Sequence, residues 1–487
     1  MGSKQDHKSH IVSVRWFSFI TIIAAMVVGM GNATAQREGG PITLSPCHIK
    51  GVEDLAQCGT LTVPENRAEP AGRLIDLNVV ILPPSGGQPT KEPLYFLAGG
   101  PGQAATQGGE LYDLVLRRAR RGRDLVLVDQ RGTGKSNPFV CEISDNPLAE
   151  GDEIARACLS PDSHDAAHYT SDAFIQDLEA VRAALGHEQI SLMGISYGTR
   201  AALLYAKAYE GRVRAMVLDS VAPPHVPIFR DEAQFASDVL EKTLAACADD
   251  PDCRAAFPSL GADFAALLQS LDNAPVGITI PEADDLQLEL TRELFLLGFR
   301  GSLYAPPSAR LIPYIVAQAS KGDFAPWMAL ADFGNRTLGE GISMGLLLSV
   351  QCAEEVPLLA GDNEPQSTSL FPNGYQAFWK QACAIWPRGA VPADFNAPVS
   401  VDTPTLLLSG GLDPITPPSM AQAAADHLSN AVSIVVPFAG HSVVAYGCAN
   451  KVVANFLDDI DPDALDTECL NDVKAPAFLS GRFGPKP

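Results

Sequence analysis

Gln189-Ile190-Ser191-Leu192-Met193-Gly194-Ile195-Ser196-Tyr197-Gly198-Thr199-Arg200 is the stretch on which the reading of this chain turns. An apolar run of strand type, 189–193, gives way to Gly-x-Ser-x-Gly, and a helical pattern follows over 198–209. Glycines on both sides permit a sharp turn that holds Ser196 exposed at a helix N-terminus. The Tyr197 backbone N–H then points toward a developing oxyanion. A bare Gly-x-Ser-x-Gly arises often by chance. Set between strand and helix, it marks a nucleophile.

A nucleophilic serine needs a base, and the base needs an orienting acid. In this strand-turn-helix setting the order along the chain is serine, acid, histidine. Of nine histidines, only His225, His427 and His441 follow Ser196. His427 ends a helical pattern and reads as a solvated surface residue, and His225 stands at the entry to a helical block. His441 follows the apolar run 433–436 through Pro437-Phe438-Ala439-Gly440, a loop at a strand's C-terminal end, where such sheets place their chemistry. It is the expected base. The expected acid is Asp413, in Gly410-Gly411-Leu412-Asp413-Pro414 directly after the strand pattern 405–409. Asp219, ending an earlier strand, is the rival, whereas Asp402 precedes a strand and so lies at the wrong end of the sheet. A second oxyanion donor is expected from Leu97-Ala98-Gly99-Gly100-Pro101-Gly102, with Gly100 or Gly99 as candidates. Gly134-Lys135-Ser136 imitates the end of a phosphate loop, but the required earlier glycine is Asp129. That reading fails.

Further out, strand patterns at 75–82, 94–98, 124–129, 189–193, 214–219, 405–409 and 433–436 alternate with helical ones such as 171–185. This alternation predicts an α/β fold with a mostly parallel central sheet flanked by helices. Between Pro223 and Pro392 the character changes to helices (231–248, 261–271, 291–304, 308–321) with few convincing strands. We therefore expect a leader at 1–35, a first core segment at 36–222, a helical cap insertion at 223–392 and a second core segment at 393–487. The 46% hydrophobic and 19% charged content supports a well-packed core for a chain of 487 residues.

At the N-terminus, Lys4, Lys8 and Arg15 precede an apolar run over 16–30, and Ala33-Thr34-Ala35 follows. These are the parts of a cleaved secretory signal, since about 20 residues are needed to span a membrane. The leader carries three basic residues and Asp6, net +2, so its loss takes the formal charge from −22 to −24. Such a field repels nucleic acid and anionic lipid, and neither is expected as a partner. Ten cysteines in an exported chain favour disulfides. They fall into sequential pairs: Cys47 with Cys58, Cys141 with Cys158, Cys247 with Cys253, Cys352 with Cys383, and Cys448 with Cys469. Spacing alone leaves nested connectivities open. In the sequential pairing, Cys448 and Cys469 would pin the C-terminal tail just beyond His441. No CxxC occurs, and no metal or cofactor is expected.

Taken in order, GGPG, DQRGTGKS, GISYGTR, LDPITPP and FAGHS resemble the prolyl-aminopeptidase branch of the α/β-hydrolases, and more closely its secreted tripeptidyl-aminopeptidase-like members. The likeness covers nearly the whole chain after the leader. It implies the α/β-hydrolase fold with a helical cap between the sixth strand and the acid. It also implies cofactor-independent cleavage of small peptides from a free N-terminus through an acyl-serine. Ala98 departs from the prolyl aminopeptidases proper, which usually carry histidine there. Similar Cys-x-acid segments occur in the tripeptidyl-aminopeptidase-like proteins where this chain has Gln351-Cys352-Ala353-Glu354-Glu355. That likeness makes Glu354, with Glu355 in reserve, the expected partner of a substrate α-ammonium. A carboxylesterase or amidase with the same triad is the alternative, and a non-catalytic binding protein on the same scaffold is a third reading.

Overall fold

Four short segments, Leu94–Leu97 (β4), Leu125–Val128 (β5), Ile190–Ile195 (β6) and Thr405–Gly410 (β10), are apolar almost without interruption because both faces of each strand are buried. The first three form the middle of the sheet, and the fourth lies one strand in from an edge, in a computed structural model that describes residues 40–143, 149–159, 162–280, 286–339, 341–359, 369–372, 374–462, 464–481 and 484. The expected leader lies outside the described residues. The other strands are Ser45–Cys47 (β1), Ala56–Pro64 (β2), Leu74–Leu82 (β3), Val213–Asp219 (β7) and Ala431–Val436 (β11). They complete a nine-stranded sheet in the order β1-β2-β3-β5-β4-β6-β7-β10-β11. From β5 to β11 all pairings are parallel, while β1, β2 and β3 pair antiparallel at one edge.

Successive strand residues face opposite ways, which splits the core in two. Tyr95, Leu192, Leu218 and Leu407 pack on one side with Leu178 and Val181 of the helix Ser171–Ala184 and Leu203 of the helix Tyr197–Tyr209. Phe96, Met193, Val217 and Leu408 pack on the other with Leu116, Val453 and Phe456. The expected strands match β3 to β7, β10 and β11 within about two residues. Strands β1 and β2 were not expected, because a half-exposed edge sequence such as Ala56–Pro64 carries little apolar signal.

Between β7 and β10 the chain forms helices Ile228–Asp249, Pro251–Ala256, Leu260–Asn273, Arg292–Leu297, Pro306–Ala309, Ile312–Ala319, Ala325–Gly339, Met344–Glu354 and Gly374–Ile385. Much of this block has a core of its own around Phe264, Phe295, Phe299, Ile312 and Trp327. It differs from the expected pattern in three ways. Val276–Ile280 (β8) and Leu286–Leu290 (β9) pair antiparallel, a short alternating hairpin hidden among helical patterns. The expected helix 291–304 is broken after Leu297, where Gly298 lets the Trp327 ring approach so closely that a Cβ would lie 2.4 Å from it. The expected helix 308–321 is likewise divided, its second part restarting at Ile312-Pro313, since proline suits a first helical turn and not an interior.

The disulfides follow the sequential pairing and not a nested one. Cys47 is bonded to Cys58, Cys141 to Cys158, Cys247 to Cys253, Cys352 to Cys383, and Cys448 to Cys469. Cys253, fully buried in the core of the inserted block, ties the helix Pro251–Ala256 back to Cys247 near the end of Ile228–Asp249. Cys469 lies in the short 3-10 turn Glu468–Asp472. Its bond to Cys448, at the start of the helix Ala449–Asp459, fastens the C-terminal tail to the second core layer, seven residues beyond His441. Cys352–Cys383 joins the helix Met344–Glu354 to Gly374–Ile385 across 31 residues. Replacing both of these last cysteines by alanine should lower unfolding free energy by roughly 2–4 kcal/mol, the scale for a loop of this length. Equilibrium urea unfolding of the purified double variant measures it.

Candidate active site

The turn at Ser196 exists because two glycines remove the atoms that would block it. A Cβ on Gly198 would sit 2.1 Å from the Leu97 carbonyl oxygen, and one on Gly194 would sit 2.3 Å from the Gly198 oxygen. Strand β6, the helix Tyr197–Tyr209 and the end of β4 thus converge on one point. Ser196 itself is held at φ 57° and ψ −125°, outside the regions L-residues favour. Ser220 and Ser442 also have positive φ, 59° and 69°. The three are tied together: the Ser196 N–H donates to Asp219 O at 2.9 Å, and the Ser442 N–H donates to Ser220 Oγ at 2.9 Å. Such conformations cost on the order of 1–3 kcal/mol each and gather where function over-determines the backbone.

His441 is fixed from three directions. Its N–H donates to the Tyr304 carbonyl at 2.9 Å, and its ring meets the Tyr304 ring edge to face at 5.2 Å. Its Nδ1 lies 2.9 Å from Asp413 Oδ2. Asp413, buried after β10, also accepts from Ile415 N, Thr416 N and Thr416 Oγ1 at 2.9–3.0 Å. Burial alone would raise this carboxyl, but the His441 charge, their hydrogen bond and the backbone donors hold it below the usual range. Burial would lower His441, yet the Asp413 charge, the same hydrogen bond and the Asp219 charge together raise it. The Asp413–His441 pair is therefore made. Among the described residues no hydrogen bond joins Ser196 Oγ to His441 Nε2, a contact that often tightens only with substrate in place.

Asp219, the rival acid, serves another end. It is buried and accepts from Val443 N at 2.7 Å and Val444 N at 2.8 Å, capping the short turn beyond His441. Burial pushes it up to about 6 despite these donors. Gly99 lies close to Ser196, since a Cβ there would be 3.2 Å from Ser196 Cβ. Gly100 has φ +106° and stands one residue further round the loop. The Tyr197 N–H is among the first, unpaired amides of its helix.

Glu354 and Glu355 are buried and engaged, and neither is presented as a free carboxylate. Glu354 accepts from Ser171 N at 2.7 Å and Ser171 Oγ at 2.8 Å, and its Oε2 is 3.9 Å from Arg200 Nη1. Glu355 pairs with Arg200 and accepts from Ile228 N at 3.0 Å. Burial pushes Glu354 up to about 7, against the opposing pull of Arg200. Glu232 of the helix Ile228–Asp249 joins them, hydrogen-bonded to Arg300 at 2.8 Å, and burial raises it to about 7 as well. A chain of hydrogen bonds runs from Gln130 Nε2 to Tyr197 OH at 3.0 Å, on to Ser171 Oγ at 2.7 Å, and so to Glu354.

Sequence reasoning missed Thr416, Tyr304, Arg200, Ser171, Gln130 and Glu232. Only Thr416 carried a local signal, Asp-x-x-Thr at a turn. DQRGTGKS, one of the motifs of the family resemblance and no phosphate loop, is a brace: Asp129 accepts from Thr106 N, Thr106 Oγ1 and Asn78 Nδ2 at 2.8–2.9 Å, and Arg131 makes a paired contact with Asp177. Among the described residues no group of three or more His, Cys, Asp or Glu is placed to hold a metal ion, and no helix is long and apolar enough to cross a membrane.

A family model described as the alpha/beta hydrolase fold matches residues 92–447, and the chain belongs to that family. Within it, the chain is similar over 89% of its length to the serine protease Hip1 of Mycobacterium tuberculosis, at 25% identity and covering 91% of that protein. It is 30% identical over 206 residues to the tripeptidyl aminopeptidase of Streptomyces lividans, 38% of each chain. The proline iminopeptidase structure from Mycobacterium smegmatis aligns over 83% of this chain and 99% of that one, with 18% identity and a TM-score of 0.38. The chain is a serine hydrolase of the peptidase type.

Three substitutions separate the roles. Ser196→Ala should remove turnover by a factor of order 10⁶ while the protein still folds. With the imidazole needed neutral as base, kcat/KM should fall as pH drops through a His441 pKa raised above its ordinary value. Asp413→Asn should cost about 10⁴ in kcat through the wrong histidine tautomer. Asp219→Asn should instead leave most of kcat and move the acid limb to lower pH, because it removes a negative charge that favours the imidazolium. A pH–rate profile of each variant measures the division, and a larger kcat loss in Asp219→Asn than in Asp413→Asn would reverse the assignment.

Proposed function

We propose that this protein is an exported aminopeptidase that removes single residues or short peptides from the free N-terminus of small peptide substrates. Ser196 Oγ attacks the scissile carbonyl while His441 takes its proton, and Asp413 holds the imidazole in the required tautomer. The Tyr197 N–H and that of Gly99 or Gly100 receive the oxyanion. His441 returns the proton to the leaving amine, and water then releases the acyl group by the same path in reverse. Export is supported by the leader pattern at 1–35 and by five disulfides, which persist in oxidising compartments. Small peptides, and not nucleic acid, suit a chain of such negative charge.

The observation that carries the choice of a free N-terminus is a charge imbalance. Among the described residues, buried Glu232, Glu354 and Glu355 face buried Arg200 and half-buried Arg300, three carboxylates against two guanidiniums. Burial raises Glu232 and Glu354 to about 7, so near neutrality protons meet part of this deficit, and a substrate ammonium would take their place. Tripeptidyl and aminoacyl arylamides, each with its N-acetyl counterpart and beside short-chain esters, test the reading; free-amine arylamides should be preferred. Glu354→Gln should cut that preference by about 1.5–3 kcal/mol, the range for a hydrogen bond to a charged group, and leave small esters nearly untouched. Equal losses on all substrates would show a structural role for Glu354. No loss on any would place the amine elsewhere.

A further inference from the structure

Tyr304 belongs to the inserted block, yet it touches the base of the triad, which belongs to the core. Its carbonyl accepts from the His441 N–H at 2.9 Å, and the two rings meet edge to face, 5.2 Å apart at 71°. Gly440 permits this approach, because a Cβ there would lie 2.3 Å from the Tyr304 oxygen and 2.8 Å from Pro306 Cδ. The acid loop meets the same block. Leu412, beside Asp413, packs against the block's own core, the cluster that holds Leu303, Ala309 and Ile312. The loops of both the acid and the base thus lean on the insertion.

A residue can position another only if it is itself fixed. The Ser308 hydroxyl shares its proton between the Ser302 and Ala305 carbonyls at 2.9 Å, and Ser302 Oγ donates to Phe299 O at 2.7 Å. Gly301 packs against Gly334 so closely that a Cβ on it would lie 2.6 Å from that backbone. The C-terminal tail braces the same stretch from outside. Phe478 is buried in the cluster of Leu303 and Ile312, and the Arg310 guanidinium stacks 3.9 Å from its ring centre. The Leu479 N–H donates to Arg310 O at 3.4 Å. At the tail's other end, Val473 packs against the second core layer, just beyond the Cys448–Cys469 bond. Tyr304 is therefore held from the block and from the core.

We infer that Tyr304 is a positioning residue for the base: its carbonyl and ring, carried by the inserted block, orient the His441 imidazole and shield it from water. The block in this account completes the catalytic machinery as well as covering it. The inference goes beyond the aminopeptidase reading, since it concerns the Asp413–His441 pair and applies to any acyl substrate. An imidazole can turn about its Cβ–Cγ bond, and the hydrogen bond to Asp413 restrains only Nδ1. A ring packed against it takes away part of that freedom, and a misplaced catalytic group is costly in rate. Burial opposes the charged imidazole, while Asp413 and Asp219, both from the core, favour it. A change at position 304 alters the first influence and leaves both carboxylates in place.

Substitution keeps the Tyr304 carbonyl, so the test addresses the ring. Tyr304→Ala should lower kcat about tenfold, more than a lost ring contact alone and less than a fully misplaced base. The loss should be equal on p-nitrophenyl acetate and on a tripeptidyl arylamide, and labelling of Ser196 by a fluorophosphonate should slow by the same factor. Water admitted beside the imidazole eases its protonation, so the acid limb of the labelling rate should move to higher pH, opposite to Asp219→Asn. Tyr304→Phe should restore most of the rate and the wild-type limb. Tyr304→Leu, measured alongside, gives the same reading should the alanine variant fail to fold. A loss confined to the arylamide would make Tyr304 a substrate contact and overturn the inference. An acid limb that stays in place overturns it too, as does a phenylalanine variant as slow as the alanine one.

Discussion

Arg200 is the charge around which the molecule is organised. It lies on the first turn after Ser196, is buried, and keeps its proton at any working pH. A guanidinium in that position must be compensated, and both compensating carboxylates come from the inserted block, Glu354 and Glu355. Removing one partner of a buried pair leaves an unpaired charge, a cost of about 3–5 kcal/mol. The block therefore has one favourable seat on the nucleophile's helix. Glu355 also accepts from Ile228 N where the block begins, and Glu354 from Ser171 N where another core helix begins. One cation fixes the start of the insertion and its later helix Met344–Glu354 against the helix that follows Ser196.

Steric exclusion is the second constraint, and it acts at shorter range. The Leu97 carbonyl, Gly198 and Gly194 occupy space in which no Cβ fits, so the end of β4 and the helix after Ser196 share one position. Ser196, Ser220 and Ser442 carry unfavourable backbone angles at the ends of β6, of β7 and of the His441 loop. The parallel strands β6, β7 and β10 lie side by side, and their hydrogen bonds resist any relaxation of those three turns. The sheet supplies the rigidity that holds the turns in their unfavourable geometry.

What could be read in the sequence follows from the range of each constraint. The Ser196 turn and the apolar strands are local patterns, and they stand in the structure where the sequence placed them; Asp413, after β10, meets His441. The partners of Glu354 and Glu355 were not legible, because Ser171 and Arg200 lie more than 150 residues away and nothing local marks a buried serine or arginine. Gln130 looked like part of a phosphate loop for the same reason: its hydrogen bond to Tyr197 OH spans 67 positions. The hairpin β8–β9 escaped notice because five-residue strands within a helical region give too little periodicity. The breaks at Gly298 and before Pro313 carried local signals, glycine and proline, which the helical pattern around them outweighed.

The two aspartates near His441 show how environment divides labour between chemically equal groups. Asp413 meets the imidazole directly and is held ionised by it and by Thr416 and Ile415, so its charge persists across the working range. Asp219 is engaged by the amides of Val443 and Val444, is pushed up to about 6, and reaches His441 only through space. The two titrations are consequently coupled. Protonating Asp219 removes a charge that favours the imidazolium, and protonating His441 favours the ionised aspartate, so each proton taken up discourages the other. Protonation of His441 is then spread over a wider pH range than one isolated histidine would give. Asp413 touches the imidazole and Asp219 acts on it only through space, although both are buried at the C-terminal ends of neighbouring parallel strands.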